Sequence, residues 1–150
     1  MARPKKVEEK AETKIEKKKE GFFATSGRRK TAIARIFLYH EKGEFLVNEK
    51  PFNEYFSSEE QKLAWLRPFH VVGVSHPQSD FGATIKVAGS GKNSQFDATV
   101  LAISKALSMY NSEYSLLLRK QGFLTRDSRE VERKKPYLRK ARKAPQYSKR

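Results

Sequence analysis

The chain contains no cysteine. Disulfides and thiolate metal sites are therefore excluded, and a reducing compartment is permitted. Apolar residues are scarce too, at 37% of the chain against ~45–50% in an average globular protein. No apolar run approaches the ~18–20 residues of a membrane span. The first residues lack the apolar stretch of a secretory signal. Glu8, Glu9, Glu12, Glu16 and Glu20 also make them too acidic for an organelle transit peptide. The expectation is a soluble cytoplasmic protein of one domain plus tails, with no membrane partner.

What is abundant is positive charge. Lys and Arg number 32 against 17 Asp and Glu, a net charge of +15. Such a balance predicts a polyanionic partner, nucleic acid ahead of an anionic membrane surface. The charge is uneven: residues 1–35 carry net +7, residues 36–118 net −2 and residues 119–150 net +10. A near-neutral middle with two basic ends fits a folded body with polyanion-binding extensions. Residues 1–20 offer almost no apolar side chain and are expected to form a charged, disordered extension. Residues 21–125 are expected to form the globular body and residues 126–150 a long, extended basic tail.

Periodicity outlines the body. Phe22–Ala24 begins an extended stretch, which Ser26-Gly27 interrupts as a turn or bulge. Arg28–Tyr39 reads as one strand, with Ala32, Ala34, Ile36 and Leu38 on one face. Glu41–Glu44 is a turn and Phe45–Val47 a short strand. Pro51–Phe56 is a short helix. Ser58 and Gln61 form a capping box for a helix ending near Pro68. Phe69–Val74 is ambiguous, and His76–Ser79 reads as loop. Phe81–Ala88 alternates as a strand, and Gly89-Ser90-Gly91 turns the chain into a helix over Ser94–Tyr110. Ser94 and Asp97 are its capping box, and Phe96, Val100, Ile103, Leu107 and Tyr110 form its apolar stripe. A second helix runs from Ser112 to Gln121, with Gly122 as its C-terminal cap. These elements make an α+β, two-layer domain.

Catalytic chemistry finds little support. Val87–Ser94 (VAGSGKNS) sits where a phosphate loop would. That loop needs Gly where Lys86 stands and Ser or Thr where Asn93 stands. Lys92 and the amides at the helix start could still hold one RNA phosphate. His40, His70 and His76 are dispersed, and no metal site is expected. The carboxylates form no acid–base pair. No catalytic residue and no cofactor is expected. What remains is electrostatic: Arg28, Arg29, Lys30 and Arg35, then Arg119 and Lys120, then the run from Arg126. That run has no acid after Glu132, and its arginines match phosphate geometry.

Four stretches carry a resemblance. They are SGRRKTAIARIFL (Ser26–Leu38), VAGSGKNSQFDATVLAISKAL (Val87–Leu107), LRKQGFLTRDSREVERKKPYLRKAR (Leu118–Arg142) and APQYSKR (Ala144–Arg150). The sequence resembles the S-nine family of small-subunit ribosomal proteins, bacterial type. Together with the intervening spacing, the stretches cover about Phe22 to Arg150. The resemblance implies a two-layer sandwich, with a mixed sheet, helices on one face and a left-handed β-α-β crossover. It also implies a non-enzymatic role in the cytoplasm, within the head of the small ribosomal subunit beside neighbouring head proteins.

Small-subunit ribosomal RNA would be held by Arg28, Arg29, Lys30, Arg35, Lys92, Arg119 and Lys120 of the body. Along the tail, Arg126, Arg129, Arg133, Lys134, Lys135, Arg139, Lys140, Arg142 and Lys143 would do the same. Ser148, Lys149 and Arg150 would meet the anticodon stem-loop of the peptidyl-site tRNA, with Gln146 and Tyr147 ordering the tail end. The chain departs from the family pattern at Ser90 and Ser94, where glycine is usual, and at Leu101, where histidine is typical. Leu101 is expected to pack. The alternatives from other classes are a free-standing nucleic-acid architectural protein and a phosphotransferase built on the Gly89–Lys92 turn.

Overall fold

The computed structural model describes residues 21–148. The expected disorder of residues 1–20 and the expected roles of Lys149 and Arg150 lie outside the described residues. Strands β1 (Phe23–Arg29) and β2 (Ala32–Tyr39) form an antiparallel hairpin, in register from Phe23↔Leu38 to Arg29↔Ala32. The single strand expected from Arg28 to Tyr39 is thus two strands. Lys30 makes the turn between them in a left-handed conformation, φ 49°, that no glycine announces. The break expected at Ser26-Gly27 is absent. Gly27 sits within β1 because helix backbone packs against it, as described below.

Strands β3 (Phe45–Val47) and β4 (Lys50–Pro51) are joined by Asn48 and Glu49, both at positive φ, as a tight hairpin requires. Four short helices follow: α1 (Phe52–Tyr55), α2 (Glu59–Ala64), α3 (Arg67–Val71) and α4 (Pro77–Asp80). Strand β5 (Gly82–Ala88) then inserts between β2 and β3. It runs antiparallel to β2 and parallel to β3, so the sheet β1-β2-β5-β3-β4 is mixed.

Pro68 does not end a helix as expected. It occupies the first turn of α3, where its missing N–H costs nothing. Pro77 likewise opens a helical turn where loop was expected. Ser58 is the N-cap of α2 but makes no side-chain capping bond.

Helix α5 (Lys92–Tyr110) lies across β1 and β2, and α6 (Ser112–Lys120) follows after Asn111. The N-cap of α5 is Gly91, without a side-chain bond, so the expected Ser94 box does not form; Ser94 is buried inside the first turn. Ala98, Ala102 and Ala106 of α5 are fully buried, and these small side chains let the helix come close to the sheet. Beneath it lie Ala32, Ala34, Ile36 and Leu38, all fully buried on the expected face of β2.

Further along the core, Phe45, Phe52, Trp65 and Phe69 pack as an aromatic cluster, centroids 4.7–5.9 Å apart for the contacting pairs. Leu101 is buried, as expected. The opposite face of β1, β2 and β5 shows Arg28, Ile33, Arg35, Tyr39 and Lys86 exposed. The expected two-layer fold with helices on one face is borne out.

Candidate nucleic-acid interface

One end of the body gathers the basic residues. It comprises the β1–β2 turn, the Gly89–Gly91 turn, the start of α5 and the residues after α6. The two turns touch: a Cβ at Gly89, where φ is +82°, would lie 2.4 Å from the Thr31 carbonyl oxygen. Ser90 next to it also keeps a left-handed φ of 51°. Helix α6 delivers the chain to this end. Its N-cap, Asn111, accepts a hydrogen bond from the Glu113 N–H at 3.0 Å. At the other terminus Gly122, at φ +79°, donates to the Arg119 carbonyl, and Phe123 donates to that of Leu118. This pair of bonds is a Schellman closure, and it fulfils the expected glycine cap.

Arg29 then ties the departing chain down. Its side chain is only 14% exposed and faces α5. The guanidinium lies 3.5 Å from Asp97 and 3.0 Å from Asp127, and it donates to the backbone carbonyls of Asp127 and Arg129. Asp127 is held from the other side by Arg129, whose Nη2 donates at 2.8 Å and whose backbone N–H donates at 2.9 Å. The side-chain hydrogen bond from Arg129, then its backbone N–H and the charges of Arg129 and Arg29, hold the Asp127 carboxyl well below the usual carboxylate range. The same contact raises the pKa of Arg129. Further on, Arg142 donates from Nε to Glu132 at 3.0 Å, which lowers the Glu132 pKa. Arg139 N–H closes a loop onto the Lys143 carbonyl at 2.7 Å.

Sequence reading grouped Arg29 with the RNA-facing cations; the structure engages it within the chain. Its partners Asp97 and Asp127 were missed. Asp127 lies 98 residues from Arg29 in a chain whose local spacing reveals only the Asp127–Arg129 pair. Arg28 and Lys30 are exposed beside this knot, and Arg119 and Lys120 are exposed on the last turn of α6. Lys92 is exposed, but its ammonium reaches the Tyr55 carbonyl at 3.4 Å and lies 5.7 Å over the Tyr55 ring. It is therefore directed at α1 rather than over the Gly89–Gly91 turn. Arg35 is exposed on the open sheet face.

From Arg126 to Ser148 there is no helix or strand. Arg126, Arg133, Lys134, Lys135, Arg139, Lys140 and Lys143 are exposed and make no ion pair among the described residues, and Ser148 is exposed. Arg129 and Arg142 are exposed but paired. His40 bonds the Tyr110 hydroxyl at 3.0 Å and packs on Phe81. No group of acidic or His side chains among the described residues could hold a metal. No helix among them is long and apolar enough to cross a membrane.

A family model described as Ribosomal protein S9/S16 matches residues 27–150. The chain belongs to this family. It is 48% identical over 132 residues to small ribosomal subunit protein uS9 of Thermus thermophilus, covering 87% of this chain and 99% of that one. The uS9 protein of Rickettsia bellii is 45% identical over 130 residues, which is 87% of this chain and 77% of the relative. That of Chlorobaculum tepidum is 44% identical over 126 residues, 84% and 95% of the two chains. The expected identity, a structural ribosomal protein of the small subunit and not an enzyme, is borne out. The phosphotransferase alternative falls with it.

Proposed function

We propose that the protein binds small-subunit ribosomal RNA through the basic end of its body and the run from Arg126 to Lys143. Its last residues, Ser148, Lys149 and Arg150, meet the backbone of the peptidyl-site tRNA anticodon stem-loop. Neighbouring proteins of the subunit head complete its surroundings. The observation that carries this reading is the charge balance after α6. The carboxylates of Asp127 and Glu132 are taken by Arg29, Arg129 and Arg142, which leaves Glu130 alone against the seven remaining cations up to Lys143. A chain so charged needs phosphate, and folded RNA supplies it without any protein core.

Sedimentation of the tagged protein in lysate, in Mg²⁺ buffer with a high-salt wash, tests RNA attachment. Retention in the small-subunit peak supports it. Release into the soluble fraction would favour a free nucleic-acid binder. Deleting Ser148–Arg150 tests the tRNA contact: peptidyl-site tRNA affinity should fall while subunit assembly persists. Unchanged tRNA affinity would remove that contact from the proposal.

A further inference from the structure

We propose that the open face of the sheet holds unpaired RNA nucleotides, with bases stacked on Phe22, Phe37 and Tyr39 and phosphates on Arg28, Arg35 and Lys86. The inference rests on the RNA-binding reading above and extends it from Arg28, which the two surfaces share, onto the open sheet face. Strand alternation builds the face. Phe23, Gly27 and Arg29 point toward α5, so Phe22 and Arg28 point away from it. Phe22 packs on Phe37 at 5.3 Å and on Tyr39 at 5.9 Å between centroids. Yet Phe22 remains 52% exposed and Tyr39 38%. Solvent-facing rings of this kind offer flat faces that any base can stack on.

The cations lie beside the rings. Arg35 is directly opposite Lys86 in the β2–β5 register, and Arg28 is opposite Ile33, two residues from Arg35 on the same face. Like charges facing each other across strands repel. None of the three makes an ion pair among the described residues. No Asp or Glu occurs in β1, β2 or β5 to relieve them. An apolar protein partner would leave these charges buried and unpaired, at a heavy desolvation cost. A polyanion with exposed bases satisfies both the rings and the charges. Duplex RNA satisfies only the charges, because its bases are already stacked.

The test is ultraviolet crosslinking of assembled small subunits, followed by mass spectrometry of this chain. Nucleotide adducts on Phe22, Phe37 or Tyr39 are expected. Adducts confined to residues 119–148 would overturn the proposal while leaving the RNA-binding reading standing, and no adduct anywhere would sink both. A second arm uses the full chain and a single-stranded oligonucleotide. The double variant Phe22→Leu, Tyr39→Leu keeps apolar bulk and removes the rings. Its affinity should fall about tenfold with the salt slope unchanged. Arg35→Gln should instead lower the log–log salt slope by about 0.7. Unchanged affinity in the double variant overturns the stacking surface.

Discussion

At Gly27 the backbone of β1 meets the backbone of α5, and no side chain fits between them. A Cβ there would stand 1.9 Å from the Ala98 carbonyl oxygen and 2.8 Å from the Ala102 nitrogen. Neither obstacle can rotate away, so Gly27→Ala must push the helix off the sheet. The expected cost is about 3 kcal/mol, read as a melting temperature lower by roughly 10 °C. A loss under about 1 kcal/mol would mean that α5 sits farther from β1 than described. Ser90 presents the opposite case. Its φ of 51° is a conformation L residues occupy at a penalty of roughly 1 kcal/mol. Ser90→Gly should therefore stabilise the body by about 0.5 kcal/mol, after the extra chain entropy of glycine is subtracted. A urea midpoint moving up with an unchanged slope would show it; a lower midpoint would mean that the serine hydroxyl makes a bond worth more than the strain.

Among elements, those with a clean period were legible in the sequence. The buried face of β2, strand β5, the stripe of α5 and the glycine cap of α6 all follow from spacing, because each is set by neighbours within a few residues. The Lys30 turn and the helical starts at Pro68 and Pro77 were missed locally, and the other failures depended on distant partners. Gly27 looks like a bend until α5 is placed over it, and Asp97 looks like a capping residue until Arg29 arrives from β1. The knot of Arg29, Asp97, Asp127 and Arg129 is the clearest such feature, since it joins a strand, a helix and the start of the tail. Arg29→Ala should release that start, so trypsin should cut at Arg126 and Arg129 roughly tenfold faster while the body stays folded. Equal cutting rates would mean that the knot is open in solution.

Acid offers an independent check. The folded pKa of Asp127 is depressed, so its contribution is complete above the ordinary value of 3.8 and is lost only as pH falls below that toward the lowered native value. The Asp127 carboxyl signal in a nuclear magnetic resonance titration should stay flat from pH 7 down to about 4. An inflection near the ordinary value would contradict the knot.

For the whole molecule, structure and charge are divided along the chain. Among the described residues, the core draws on those up to Leu118, with Phe123 and Leu124 packed at its edge, and on none beyond them. The seven cations between Arg126 and Lys143 that make no ion pair among the described residues lie past that limit. Folding and polyanion binding should therefore separate on truncation. Removing residues 130–150 keeps Arg29, Asp97, Asp127 and Arg129 and should leave cooperative unfolding within a few degrees of the full chain. Binding to ribosomal RNA should change far more. If each of the seven cations neutralises one phosphate of helical RNA, the six that are removed contribute about −5 to the log–log salt slope. Measured across a salt series, the truncated protein should show a slope shallower by about 5 than that of the full chain, the remainder coming from Arg28, Lys30, Arg35, Lys86, Arg119, Lys120 and Arg126. A slope equal to that of the full chain would place the phosphate contacts on the body instead.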